Sequence, residues 1–392
     1  MLSLPLRLVV SVILAFALSS YLDLTVVGYF YSISVVLKDL LMLILPFVVF
    51  SYLSAAILSA QKQAINLVCG IFGLVVVANT INVFAAYGAA ISFLGFLKPI
   101  CLDGACASDK VIALWRIPLP YFLSSNTAML LGLAVGIIGS LTQSSIISDV
   151  VSHIKIWATK ALNLVFIPFL PLYVFGFVLK IACEGTLNAL VAAYAPVFFL
   201  TLLTIKAYLL FWYFVGCNGS FKATFVAIRN MLPAWLTGFS TMSSAATLPI
   251  TLKCVEKNVH NTNLTNFVVP ATANIHMVGD GINITLTSFA LLVMSGAPMP
   301  TFGAFLSYVV AYVITKFSGS GVPGGGMIIL LPVVEQHLGL SSELCSLVAT
   351  LYILQDSLMT ASNIAGNGAL ALIAKKLFAR KFCAAEEKLL EV

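Results

Sequence analysis

Long apolar runs separated by short polar breaks dominate this chain. The runs near 8–28, 38–60, 65–97, 126–144, 162–182, 188–216, 264–295 and 341–374 are each long enough for a helix across a bilayer, whose core of about 30 Å takes roughly 20 helical residues. Two further stretches, 222–256 and 300–340, are apolar but interrupted by Ser, Gly and Pro. They predict re-entrant helical hairpins, because irregular backbone survives at membrane depth only where protein or a water-filled cavity satisfies it. The pattern therefore predicts an all-α polytopic membrane protein with eight spanning helices and two re-entrant hairpins. Each hairpin precedes a polar-dotted helix, 264–295 or 341–374. That order suggests inverted repeats with a solute site where the halves meet.

The last of these helices holds the most informative residues. In Asp356-Ser-Leu-Met-Thr360-Ala-Ser-Asn363-Ile-Ala-Gly-Asn367, a carboxylate, a hydroxyl and two amides fall on one helical face at about 100° per residue. An ionisable group at membrane depth costs about 2.5–3.5 kcal/mol on insertion scales, so it usually faces protein, water or a ligand. A hydrogen-bonded seam between helices is one use of such a face. Binding of a polar solute is the sharper one.

Composition agrees with the pattern: 61% of residues are hydrophobic, 9% are charged, and mean hydropathy is +1.07, against about 25% charge in a soluble domain. The net charge of +6 sits in no dense basic, aromatic-interleaved segment, so no nucleic-acid partner is expected. Arg7, Lys62, Lys155, Lys160, Lys222, Arg229, Lys253, Lys257 and the cluster Lys375, Lys376, Arg380 and Lys381 share one side in an even-span topology. By the positive-inside rule both termini are then cytoplasmic, in a plasma membrane (the inner membrane of a bacterium). The segment Met1–Ser20 imitates a secretory signal but reads as the first membrane helix.

Enzyme chemistry finds no foothold. His153, His260, His276 and His337 are dispersed, and no Walker loop, nucleophile elbow or HExxH pattern occurs. The chain reads as a non-enzyme without a cofactor. Its eight cysteines lack metal-like spacing; Cys101 and Cys106 are near enough in sequence to pair on an oxidising outer face. In Ser240-Thr-Met-Ser243-Ser244-Ala-Ala-Thr247-Leu-Pro249, clustered hydroxyls and a proline interrupt an apolar stretch and could present amide donors to an anionic group. In Ser318-Gly-Ser320-Gly-Val322-Pro-Gly324-Gly-Gly326, five glycines in nine residues permit an extended backbone; a flexible bend is its plainest use.

These residues carry a resemblance. The serine cluster at 243–249 resembles the first hairpin tip of the dicarboxylate/amino acid:cation symporters, the glutamate-transporter-type fold. Gly319–Gly326 is similar to the second tip, and Gln355-Asp356 through Asn363 to Asn367 is similar to the last helix. Order and spacing agree over about 222–376, and the motifs look closest to the serine/threonine-transporter branch. The resemblance implies a transport core (65–97 and 222–378) moving against scaffold helices (1–60 and 126–216) that form a homotrimer in lipid, with 379–392 a cytoplasmic tail. It implies a substrate site of Ser243, Ser244, Met277, Val322, Asp356, Met359, Thr360 and Asn363. Asp356 would hold an α-ammonium, while the serines, the Val322 backbone and Asn363 meet the α-carboxylate. Members that carry acidic substrates resemble this register but place an arginine at the position of Met359. A guanidinium is the natural bidentate partner of a side-chain carboxylate, so its absence favours a neutral amino acid.

Sodium is the coupling ion that the resemblance implies, through Asn274, His276, Gly279, Ser318, Ser320, Asn363 and Asn367. Here the chain departs from the pattern. The family's Asn-Met-Asp-Gly falls on His276-Met277-Val278-Gly279, and its final aspartate on Asn367. An alternative register uses Asp280-Gly281 and keeps the carboxylate. His276 and Asp280 are also four apart, and on a continuous helix they would form a protonatable pair, which keeps proton coupling open. A dicarboxylate carrier and a substrate-gated anion channel on the same helices stay open as well.

Overall fold

The computed structural model describes residues 4–58, 65–97, 111–117, 119–120, 123, 125–161, 164, 167–184, 187–319 and 324–390. Among them are fourteen α-helices and no strand: α1 (Leu4–Leu18), α2 (Leu24–Leu58), α3 (Ile65–Phe93), α4 (Ser125–Thr142), α5 (Ser145–Ala161), α6 (Ile167–Cys183), α7 (Leu187–Gly216), α8 (Phe221–Thr241), α9 (Ser244–Val259), α10 (Thr262–Thr272), α11 (Val278–Met294), α12 (Phe302–Lys316), α13 (Gly325–Leu338) and α14 (Ser342–Leu390). Large apolar side chains such as Ile13, Phe16, Val77, Ile138, Phe199 and Val310 face outward, as lipid-facing surfaces require. Helices α2, α3, α7 and α14 each contain a stretch long and apolar enough to cross a membrane. In α14 that stretch is 78% buried, against 28% in α7, so α14 runs through the protein interior and α7 along its edge.

The first two helices divide differently from the expected 8–28 and 38–60. The break falls at 19–23, and α2 runs unbroken for 35 residues. Asp23 Oδ1 accepts from Leu24 N at 3.1 Å at the start of α2, where a negative charge suits the helix dipole. Downstream, the Ser32 and Ser34 hydroxyls donate back to the Gly28 and Phe30 carbonyls at 2.8 and 3.3 Å. Serines that bond within the turn leave the helix intact. Helix α5 was not anticipated, because Asp149, His153, Lys155 and Lys160 interrupt its apolar pattern. It lies against α2, with Tyr52 OH and Thr159 Oγ1 2.6 Å apart and Lys155 Nζ 5.0 Å from the Tyr52 ring centroid.

Both hairpins form where the interrupted stretches lie. Ser220 caps α8, which ends at Met242 in the left-handed conformation (φ 52°), and Ser243 caps α9 through Ala246 N. In the second hairpin, α12 ends at Lys316, α13 begins at Gly325, and the expected tip residues Ser320 and Val322 lie outside the described residues. Cys101 and Cys106 lie outside them as well. Between the hairpins the chain crosses as two pieces, α10 and α11, separated by 273–277. Asn79 on α3 donates Nδ2 to Ile275 O at 2.8 Å, which satisfies a carbonyl that the break exposes. The order of hairpin and then span thus occurs twice, although α14 is continuous. The segment expected as a tail is helical through Leu390, an extension of α14.

Candidate functional site

The polar face of α14 is buried against the α10–α11 break and the second hairpin. Asp356, Thr360, Asn363 and Asn367 are each at most 5% exposed. Asp356 Oδ2 accepts from Gly324 N at 2.7 Å, and its Oδ1 accepts from Thr360 Oγ1 at 3.2 Å. Gly324 precedes α13 and has no side chain with which to cap it, so the Asp356 carboxylate serves that helix N-terminus instead. A negative group there is favoured by the free amides and the helix dipole. Gly324 has φ 71°, a region that costs other L-residues about 1–2 kcal/mol. We expect Gly324→Val to lower the melting temperature of the purified protein, because valine is strained in this conformation at the start of α13. A variant that melts with the parent would show that the position tolerates a side chain.

One turn further along, Asn363 Oδ1 accepts from Gly279 N at 2.8 Å and from Asp280 N at 3.4 Å, while its Nδ2 donates to Asp280 Oδ1 at 2.8 Å. Asn363 therefore ties α14 to the first turn of α11. Close approach makes this possible, because a Cβ on Gly279 would lie 2.6 Å from Met359 O and 2.9 Å from Met359 Cα. Met359 itself is fully buried.

The expected pairing of His276 with Asp280 does not form. Helix α11 starts at Val278, so His276 lies in the break, where four-residue helical spacing does not apply. His276 Nδ1 instead sits 3.3 Å from Asn367 Oδ1. Val278, fully buried, packs beside Gly366, where an added Cβ would lie 2.6 Å from Val278 Cγ2. The carboxylate of this region is Asp280, in the first turn of α11. Its partner is a residue the sequence reading passed over: Lys316 Nζ lies 2.7 Å from Asp280 Oδ2, with side chains 0% and 1% exposed. Tyr352 OH donates to Asp280 Oδ1 at 2.8 Å, and Lys316 Nζ also contacts Met277 Sδ at 3.2 Å. A lysine ending an apolar helix in the membrane was the available signal, since such a charge needs a named partner.

The remaining expected residues are spread around this core. Ser318 Oγ donates to Val49 O of α2 at 3.0 Å. The Asn274 carbonyl packs so closely on Gly319 that no Cβ fits there, and Asn274 Oδ1 is buried with no hydrogen-bond partner. Ser244 is buried at the first turn of α9. Beside that tip, Phe239, Ser240 and Met242 share an open cleft of about 550 Å³ with Leu354, Gln355 and Ser357 of α14. The first hairpin thus borders the segment that holds Asp356.

Residues 126–377, which include both hairpins, α10, α11 and the polar face of α14, match the model of the sodium:dicarboxylate symporter family. The chain belongs to that family. Among curated relatives, an excitatory amino acid transporter of Caenorhabditis elegans is 29% identical over 147 residues, 37% of this chain and 29% of the relative. Human excitatory amino acid transporter 2 is 27% identical over 147 residues, 37% of this chain and 25% of the relative. In these matches the chain spans less than a third of each relative's length. Membership in the symporter family, together with the long apolar helices, makes this an integral membrane protein.

Proposed function

We propose that this chain is a secondary active transporter that imports a small neutral amino acid by cation-coupled symport with alternating access. The observation that carries the reading is the Asp356 carboxylate, buried inside a family of symporters and in contact with the second hairpin through Gly324 N. A zwitterion needs an anion at one end and donors at the other. Asp356 takes the ammonium, with Thr360 beside it. Ser243, Ser244, the Val322 backbone and Asn363 take the carboxylate, and Met277 and Met359 supply apolar wall. Asn363 Nδ2 now donates to Asp280, so its use by substrate requires a local rearrangement. The same carboxylate that reads the ammonium also holds the start of α13, which couples occupancy to the position of the hairpin.

Sodium is the coupling ion favoured by the family description. Its oxygens come from the Asn274, His276 and Gly279 carbonyls, from Ser318 and Ser320, and from Asn363 and Asn367, a neutral set suited to few ions. The moving core is α3 with α8–α14, carried against the α1–α2 and α4–α7 scaffold of a trimer in a plasma membrane. The motif likeness to the serine/threonine branch supports a hydroxyl or other small side chain on the substrate.

Met359 supports the neutral substrate, although the matched relatives bear the name of excitatory amino acid transporters. We expect Met359→Arg to move preference toward aspartate and glutamate, because a buried guanidinium there has a substrate carboxylate as its natural partner. Competition by a panel of amino acids against labelled substrate checks both forms. Stronger competition by glutamate than by any neutral amino acid in the unmodified protein would overturn the neutral reading.

A further inference from the structure

We propose that the Lys316 ammonium is a tethered counter-ion that takes the place of a coupling sodium at Asp280. A buried carboxylate in a membrane protein must be neutralised, and a cation from solution or one from the chain can do it. Here the chain supplies it. Lys316 Nζ sits 2.7 Å from Asp280 Oδ2, while the other oxygen receives Tyr352 OH and Asn363 Nδ2, each at 2.8 Å. Both helix ends suit this placement: the carboxylate lies in the first turn of α11 and the lysine is the last residue of α12, where their charges oppose the local dipoles. The surrounding packing leaves space for this pair and little more. A Cβ on Gly326 would collide with Asp280 Oδ2 and lie 3.2 Å from Lys316 Nζ. Met277 Sδ, 3.2 Å from Nζ, and the Tyr312 ring, 5.7 Å away at its centroid, occupy the ammonium's other sides.

The consequence for coupling rests on the transport reading: one cation that would otherwise travel with substrate is permanently bonded to the carrier, so fewer sodium ions enter per solute. A tethered cation also keeps Asp280 neutralised in every state of the cycle. Gly281 adds an independent sign that this corner was shaped around polar groups. A Cβ there would collide with Asn82 Oδ1 and lie 2.6 Å from Tyr312 OH, and both of those buried oxygens lack a hydrogen-bond partner. They are neutral oxygens beside Asp280, available to a small ion once the ammonium is gone.

The test measures melting of the full-length protein in detergent, in sodium chloride against choline chloride at equal ionic strength. Three forms are compared: the parent, Lys316→Met, and Lys316→Met combined with Asp280→Asn. Lys316→Met should gain a sodium-dependent rise in Tm beyond any response of the parent, since an ion that binds only the folded state stabilises it. The double variant should return to the parental response. A folded Lys316→Met protein with an unchanged sodium response would overturn the proposal. So would failure of Lys316→Met to fold in any salt while the double variant folds, because sodium could then not replace the lysine. Melting needs no substrate, so failure to find a transported amino acid would count against the proposed function and leave this result readable.

Discussion

Replacing Asp356 with asparagine should abolish amino-acid binding while the protein still folds and inserts. Asparagine keeps an oxygen that can accept from Gly324 N, so the cap on α13, now a 2.7 Å bond to the carboxylate, survives. The charge that answers the substrate ammonium does not. Loss of one partner from a desolvated ion pair costs about 3–5 kcal/mol, roughly 100-fold to 1,000-fold or more in affinity. Isothermal titration or a scintillation proximity assay on purified protein reads this directly. Parental affinity in the Asp356→Asn protein for every amino acid bound by the parent would remove this residue from the site.

Gly326→Ala should be among the most damaging single-methyl changes in the molecule. Its new Cβ would meet Asp280 Oδ2, with Asp280 Cγ at 2.8 Å and Lys316 Nζ at 3.2 Å. The carboxylate cannot withdraw without giving up the lysine, Tyr352 or Asn363. Disturbing a buried pair in this way costs about 3–5 kcal/mol. Gly303→Ala is the control, since the nearest atom to its Cβ is Thr301 Oγ1 at 4.0 Å. A Gly326→Ala protein that melts with the Gly303→Ala protein would show that the ion pair adjusts freely and is not held by its surroundings.

The parts of the fold legible in the sequence were those written as local chemistry. The hydroxyl cluster that includes Ser243 marks the first tip because Ser243 caps α9, and the glycine-rich run marks the start of α13, where Gly324 has φ 71°. The face formed by Asp356, Thr360, Asn363 and Asn367 was legible because helical spacing alone brings those residues together. What escaped depended on distant partners or on a helix boundary. Residues 29–37 fall between two of the expected spans, yet Ser32 and Ser34 each bond to a carbonyl four residues back and α2 is whole. His276 and Asp280 looked like a pair, yet α11 begins between them. Lys316 ends an apolar helix and belongs to no local motif. Its significance comes from Asp280, 36 residues earlier on another helix, and only the tertiary structure brings the two within 2.7 Å.

Gradient-driven uptake tests the central claim most directly. Purified protein is reconstituted into proteoliposomes with a sodium gradient directed inward, and a panel of labelled amino acids is followed over time. The account predicts that at least one small neutral amino acid accumulates above its outside concentration, that accumulation collapses when the gradient is dissipated, and that Asp356→Asn removes it. Uptake that only equilibrates would point to a pore, and binding without flux to a sensor. Either result, like accumulation indifferent to every imposed cation gradient, would contradict cation-coupled transport.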